Sequence, residues 1–355
     1  MSNYFDRMKV KLENLRNKDK VTVLGIESSC DETSISVVVN GREVLSNVIA
    51  SQIDIHTRFG GVVPEVASRN HIQAIDNVYK QALKEAGIKA SEIDAVAVTY
   101  GAGLIGALFV GVSFAKALAY SLDVPLIAVN HIRGHISANY IANKNLNPPF
   151  ICMVMSGAHT SIFRADDYNK LMLLGQTLDD AVGEAFDKVA RVIGLGYPGG
   201  PKIEKLAKEG QNNIIFKRQN GTKDSLNFSF SGIKTAVINY VNHLEQKGEE
   251  IRKADICASF QHLVAKELAS KVIRATKESG LNTIVLAGGV SANRFLYEFI
   301  KAEAEKDGIT VYAPNVILCT DNGAMIASYG YFSLKAGEGL ADINLTARAN
   351  INYSN

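Results

Sequence analysis

Strand-length apolar runs that stop at a glycine or a polar turn, each followed by a segment of helical period, recur along this chain on both sides of one break. Residues 21–27 (VTVLGIE), the turn SSCDET and residues 34–39 (SISVVV) read as a β-hairpin. A helix opens at Pro64, with Ile72, Ile75, Val78, Tyr79, Ala82 and Leu83 at helical spacing and Gly87 as its stop. Residues 94–99 form a buried strand that feeds a glycine-rich helix, and residues 125–130 form another strand. The break is at residues 143–149, where Asn and paired Pro end a helix and cannot enter a central strand. Beyond it, residues 150–156 read as a strand running into Gly157, residues 283–289 as a strand ending in paired glycines, and residues 316–320 as a strand ending at Asp321. This alternation predicts an α/β protein of two similar lobes, with ligands where strands end in loops.

At 355 residues the chain exceeds what one core supports, which agrees with two lobes. We expect a leader over residues 1–20, an N-terminal lobe over 21–145 joined by the C-terminal helix at about 322–345, and a C-terminal lobe over 146–321. The leader mixes both signs of charge and lacks the apolar core of a secretory signal, so it reads as an amphipathic helix. Residues 101–122 are membrane-like in length, but Lys116 and four glycines favour a helix buried in a large α/β protein, with no membrane partner. Four scattered cysteines, none in a C-x-x-C pair, fit a reducing, cytoplasmic setting.

Net charge is only +2, but its distribution is uneven. In the segment 188–234, expected to be basic and helical, nine Lys or Arg face three acids, so it is net +6 and the remainder of the chain −4. Such a stripe suits a polyanion partner; a solvated lysine-rich helix face would have the same charge.

Two histidines four apart, His131 and His135 in HIRGH, lie on one face of a helix and can grip one metal ion. Zinc metallopeptidases need a Glu directly after the first His to activate water, and here that residue is Ile132. Asp321, between a strand and an apolar helix, is a plausible third ligand; its structural alternative is to cap that helix. Two His and one carboxylate leave positions open for substrate. His71 and His159 are further candidates.

Three turns share one logic: ESSCDET (27–33), SGAHT (156–160) and GGVSAN (288–293) each follow an apolar strand, so their backbone N–H groups can hold an anion. Singly, each is more often a structural turn; in this order they suggest two phosphate loops and an adenosine loop. Asp31 and Glu32 in the first could position a metal or polarise a nucleophile. Asp180, Glu184 and Asp187 fall on one helical face, either a wet face or a ribose-binding one, and GYPGGP (196–201) is a rigid turn where a ligand can approach backbone.

These motifs, with GGVVPEVASRNH, GAGLIGALFVG, DDAVGEAFDKVAR, FSFSGIKTAV, LAGGVSANR and CTDNGAMIA, resemble the TsaD family of tRNA threonylcarbamoyladenosine transferases over about residues 21–345. The resemblance implies the actin, sugar kinase and Hsp70 (ASKHA) fold, two lobes of mixed sheet flanked by helices with nucleotide in the cleft. It implies His131, His135 and Asp321 as ligands of one divalent iron or zinc ion per subunit. It implies contact of the phosphates or threonylcarbamoyl group with Val154, Met155, Ser156, Gly157 and Ala158, and of an ATP- or AMP-type nucleotide with Asp187, Gly200, Asn293 and, near them, Glu204. Asp31 matches an acidic position tied to activity. One departure is Ala158, where the family has a second glycine; a left-handed backbone there would strain alanine by about 1 kcal/mol.

The implied reaction moves the threonylcarbamoyl group of threonylcarbamoyl-AMP to N6 of the adenosine beside the anticodon, in tRNAs reading codons that begin with A. The implied partners are tRNA and TsaB-like and TsaE-like proteins, with the helix from Pro64 as the TsaB contact. The rival readings are a metallopeptidase, opposed by Ile132, and an ASKHA small-molecule kinase, which gives the His pair no task.

Overall fold

The computed structural model describes residues 4–216 and 225–351. In chain order the first elements are α1 (Tyr4–Arg16), β1 (Thr22–Glu27), β2 (Glu32–Val39), β3 (Glu43–Ser51), α2 (Ile53–Thr57), α3 (Pro64–Ala86), β4 (Ala95–Gly101), α4 (Ile105–Leu122), β5 (Leu126–Asn130) and α5 (His131–Ala142). There follow β6 (Phe150–Met155), β7 (Thr160–Ala165), β8 (Leu171–Gln176), α6 (Val182–Val192), α7 (Gly199–Ala207), α8 (Ser231–Lys247), α9 (Lys253–Glu278), β9 (Thr283–Ala287), α10 (Arg294–Glu305) and β10 (Thr310–Tyr312). The last are α11 (Val316–Cys319), α12 (Gly323–Ala336) and β11 (Leu340–Ala341).

These elements form two compact units. Unit 1 holds Met1–Pro148, Asp167–Lys170 and Pro314–Asn355; unit 2 holds Pro149–Asp166 and Leu171–Ala313. In unit 1 the strand order is β11-β5-β4-β1-β2-β3, with β1, β2 and β3 an antiparallel meander and β4 and β5 parallel to β1. In unit 2 the order is β10-β9-β6-β7-β8, again a meander (β6, β7, β8) followed by two parallel strands. The two units thus repeat one internal topology, as two similar lobes require.

Alternation along β1 explains how sheet 1 is covered. Val21 and Val23 join the core that includes α12 residues Ala324 to Ala327, whereas Leu24 and Ile26 join the opposite core with Ile75 and Val78 of α3 and Val112 and Ala115 of α4. Successive strand residues point to opposite faces, so a run apolar at every position needs helices on both sides. Gly25 lets α12 approach: a Cβ there would lie 2.2 Å from the Gly323 carbonyl oxygen. Unit 2 has a core built on Ile151, Met153 and Met155 of β6, Ile284 and Leu286 of β9 and the apolar faces of α6, α8 and α9.

Several expectations need correction. Residues 316–319 form a helix, because the Asn315 side chain accepts the Leu318 N–H (3.2 Å) and its carbonyl accepts the Cys319 N–H (3.1 Å). Residues 314–321, grouped above with the second lobe, pack in unit 1. The segment expected as a leader contributes α1 to the fold: Tyr4, Met8 and Leu12 are buried, and the Tyr4 hydroxyl donates to the Val124 carbonyl (2.6 Å). Lys335 of α12 closes the end of α1 by donating to the carbonyls of Leu15 (3.2 Å), Arg16 (2.9 Å) and Lys18 (2.7 Å). By length and composition α4 could cross a membrane, and it is built into unit 1 against β4 and α3.

Candidate metal centre and nucleotide loops

His131 is the first residue of α5 and His135 stands one turn later, so both rings leave the same face. The helix starts here because the Asn130 side chain accepts the Ile132 N–H at 2.9 Å. Asp321 arrives from the turn between α11 and α12. The cap of α12 is its neighbour Asn322, whose side-chain oxygen accepts the Met325 N–H at 3.0 Å. Oδ1 of Asp321 lies 3.1 Å from Nε2 of His135 and 3.6 Å from Nε2 of His131. One ligand atom from each of the three residues falls within 4.8 Å of the others.

This donor set fits a divalent metal. Both ring nitrogens of His135 are buried and make no hydrogen bond among the described residues. A buried imidazole whose one polar contact is the Asp321 oxygen beside Nε2 is poorly satisfied unless something uses its lone pair. Two imidazole nitrogens and a carboxylate oxygen suit iron or zinc. Ile132 is only 2% exposed, so the residue beside His131 faces the core, where a water-activating base has no access to water.

The turn after β1 braces this group. Glu27, fully buried, accepts the Ser29 N–H (2.6 Å) on one oxygen and the Thr99 hydroxyl (2.5 Å) on the other, and the latter is 3.2 Å from Nδ1 of His131. Burial opposes the charge on His131, yet Asp321 and Glu27 on either side push its pKa up to about 9. Burial, reinforced by Asp321 and Asp31, likewise pushes Glu32 up to about 9. Asp31 itself is buried beside them. His71 on α3 holds the same turn through Thr33 (2.7 Å) and the Cys30 carbonyl (2.9 Å), which absorbs this histidine into a structural role. From α4, the Ala107 carbonyl accepts the Ser28 hydroxyl (2.9 Å), and the Leu104 N–H just before it donates to the Ser29 carbonyl (2.7 Å). Thr99 escaped the sequence reading, whereas Glu27 and Ser29 lay in the turn expected to hold an anion, a role at odds with a Ser29 N–H already taken by the Glu27 carboxylate; a lone carboxylate ending an otherwise apolar strand was the available signal.

In unit 2, Val154 and Met155 are fully buried strand residues, and Ser156–His159 is the tight turn to β7, closed by Ser156 N–H to the His159 carbonyl (2.8 Å). Gly157 and Ala158 are exposed at its tip, and neither N–H is donated within the described residues. Neither residue has a positive φ, so the strain expected at Ala158 is absent. Asp180 lies before α6 and pairs with Lys188 and Lys234 (2.7 Å each), so the acids at 180, 184 and 187 do not form one wet helical face. Asp187 accepts the Gly199 N–H (2.7 Å), and burial raises its pKa against that bond. Gly200, next along α7, has open space where a side chain would stand. Glu204 accepts the Arg294 N–H (2.9 Å) at the start of α10, and Asn293 caps that helix through Leu296 (3.0 Å) while donating to Gln261 (3.1 Å).

The basic stripe is thinner than its count. Lys188 is neutralised by Asp180 and Glu184, and Lys234 by Asp180, carboxylates that precede the segment. Lys217, Arg218 and Lys223 lie outside the described residues. Lys202, Lys205 and Lys208 remain exposed on α7 and the turn that follows it.

Comparison with known proteins agrees with this architecture. Two solved structures of HypF, one of them from T. kodakarensis, cover 90% of the chain with TM-scores of 0.60 and 0.62, at 18% and 15% identity over 47% and 48% of their own length. The (R)-2-hydroxyglutaryl-CoA dehydratase component A of Acidaminococcus fermentans covers 88% at a TM-score of 0.51 and 14% identity, over 99% of its length. At such identities the likeness concerns the fold alone, an ASKHA-type α/β architecture of two mixed sheets flanked by helices. Proteins named tRNA N6-adenosine threonylcarbamoyltransferase are far more similar: that of Clostridium perfringens is 58% identical over 94% of this chain and 98% of its own, and that of Clostridium novyi 57% over 93% and 97%. The TsaD family pattern, described as tRNA N6-adenosine threonylcarbamoyltransferase, matches residues 43–328. The chain therefore belongs to the TsaD family of transferases.

Proposed function

We propose that this protein transfers the threonylcarbamoyl group of threonylcarbamoyl-AMP to N6 of the adenosine beside the anticodon in tRNAs reading codons that begin with A, in the cytoplasm. The observation that carries the reading is the convergence of His131, His135 and Asp321, with both His135 nitrogens lacking hydrogen-bond partners, in a chain of this family. One Fe2+ or Zn2+ ion held there would supply Lewis-acid polarisation of an oxygen on the substrate.

The chain's own residues are assigned as follows. Gly157 and Ala158 N–H groups bind the phosphate or carbamoyl oxygens, with Val154, Met155 and Ser156 holding the turn. Asp187 and Glu204 accept from ribose hydroxyls, Gly200 leaves room for the sugar, and Asn293 contacts the nucleotide from the head of α10. Asp31 takes the proton from N6 as the new C–N bond forms and AMP departs. Alignment of a weak aryl amine is the main task, and excluding water protects the acyl group.

Partners of the TsaB and TsaE type are part of the proposal. Ile72 (65% exposed) on α3 and Phe109 (65%) and Ile105 (54%) on α4 are exposed apolar residues that we assign to the contact with the TsaB-like protein. The deciding assay incubates the protein, these partners, threonylcarbamoyl-AMP and unmodified tRNA. Modified nucleoside is expected with the parent and lost with His131→Ala; no product with the complete set overturns the proposal.

A further inference from the structure

We infer that Glu27 is a positioning residue for the metal centre: it fixes His131 in the tautomer that carries its proton on Nδ1, leaving the Nε2 lone pair free for a metal. The inference rests on the proposed use of His131, His135 and Asp321 as ligands, and concerns a residue outside that set.

The geometry is specific. Glu27 closes β1 with no exposed surface, and three groups converge on its carboxylate: the Ser29 N–H at 2.6 Å, the Thr99 hydroxyl at 2.5 Å and Nδ1 of His131 at 3.2 Å. The first two are donors, which fixes both oxygens as acceptors and the carboxyl as a carboxylate in a rigid cradle. A ring nitrogen facing such an oxygen must bring the hydrogen. The Ser29 hydroxyl, 3.1 Å from the same Nδ1, can accept as well. With Nδ1 committed, Nε2 is the acceptor nitrogen of the neutral ring, and it is the one turned to Asp321 at 3.6 Å. A ligating histidine held by a carboxylate on its other nitrogen is better oriented and more basic.

His135 has no such support on its other nitrogen: Nε2 lies 3.1 Å from Asp321, but Nδ1 makes no hydrogen bond among the described residues. The two residues are therefore unequal: only His131 is held on Nδ1 by a carboxylate.

The test uses Glu27→Gln, Thr99→Val and the parent, each checked for native circular dichroism and melting. Metal-free protein is titrated with Zn2+ against a chromogenic chelator, and His131 is examined by long-range 1H–15N correlation with nitrogen-labelled histidine at about pH 10 and above, where the metal-free ring is neutral and has a tautomer. Glu27→Gln keeps the shape but can turn its amide NH2 to Nδ1, which moves the ring proton to Nε2. Zinc affinity is expected to fall by about 10- to 100-fold, with the Nδ1–H tautomer lost. Thr99→Val frees one carboxylate oxygen and should give a smaller loss, with the tautomer retained but broadened. If Glu27→Gln does not fold, Thr99→Val alone decides. Parent-like zinc affinity and an unchanged tautomer in folded Glu27→Gln, or parent-like zinc affinity in Thr99→Val where Glu27→Gln does not fold, overturn the inference. A parent that binds no Zn2+ or Fe2+ overturns the metal assignment instead, and the tautomer measurement still decides the role of Glu27.

Discussion

Gly25 of β1 and Gly323 of α12 meet backbone to backbone: a Cβ on Gly25 would lie 2.2 Å from the Gly323 carbonyl oxygen and 2.4 Å from the Ala327 nitrogen. The Gly323 N–H is itself held by the Ser34 hydroxyl at 2.8 Å. Gly25→Ala cannot be relieved by a rotamer change, because the obstacle is main chain. We expect a stability loss of about 3 kcal/mol or more, with weaker zinc binding because the start of α12 carries Asp321 beside it. Urea unfolding and zinc titration check both; an unchanged midpoint refutes the close approach.

The first helix is part of the fold. Met8 has no exposed surface and lies between Tyr4 and Leu12 on the buried face of α1. Met8→Ala should cost about 2–5 kcal/mol in urea unfolding, whereas Val10→Ala, on a residue 64% exposed, should lie within about 0.5 kcal/mol of the parent. Equal effects would mean that α1 does not pack as described.

Asp180 joins α6 to α8 through Lys188 and Lys234. Burial raises its pKa, but the bonds to these two lysines outweigh it and hold the carboxyl below its ordinary value. Its folded pKa is thus below the unfolded one, so its contribution is complete above about pH 4 and is lost as pH falls through the folded pKa. Asp180→Asn should destabilise by about 1 kcal/mol at pH 7, the upper end for ion pairs near the surface. The difference from the parent should shrink at pH 3. Urea midpoints at the two pH values test it; a gap that widens on acidification refutes it.

Lys202 and Lys205 are exposed on α7, and neither is engaged by a carboxylate among the described ion pairs. The double charge reversal Lys202→Glu, Lys205→Glu should weaken tRNA binding about 10-fold at physiological salt and flatten its salt dependence, each lost phosphate contact removing about one unit of slope. AMP binding should be unchanged. Fluorescence anisotropy with labelled tRNA decides, and unaltered affinity removes α7 from the tRNA-facing surface.

Local chemistry explains what the sequence disclosed. Strand periods, the Gly87 stop and the i, i+4 spacing of His131 and His135 are written in neighbouring residues, so β1, α3 and α5 were legible. The Asp321 pairing was legible as chemistry, but that the cap of α12 is Asn322, one residue away, was not. Residues 316–319 failed because a short apolar run satisfies either period, and a single Asn315 cap tips it to helix. The Glu27 cradle is long-range, uniting Ser29, Thr99 and His131 through strand order, and no periodicity encodes it.

The repeated meander gives the two hairpin turns a common origin in topology. The turn after β1 and the turn after β6 occupy corresponding places, each at the end of a strand flanked by an antiparallel partner and a parallel one. Yet one is crowded with carboxylates from Glu27 to Glu32, and the other, around Gly157 and Ala158, offers main-chain donors and no acid. A single scaffold thus carries carboxylates at one of two equivalent ends and main-chain donors without an acid at the other, so the first turn does not have the anion-holding character expected from its sequence. Because side chains at a turn do not enter the sheet, the two copies could diverge in charge without either β-sheet having to change.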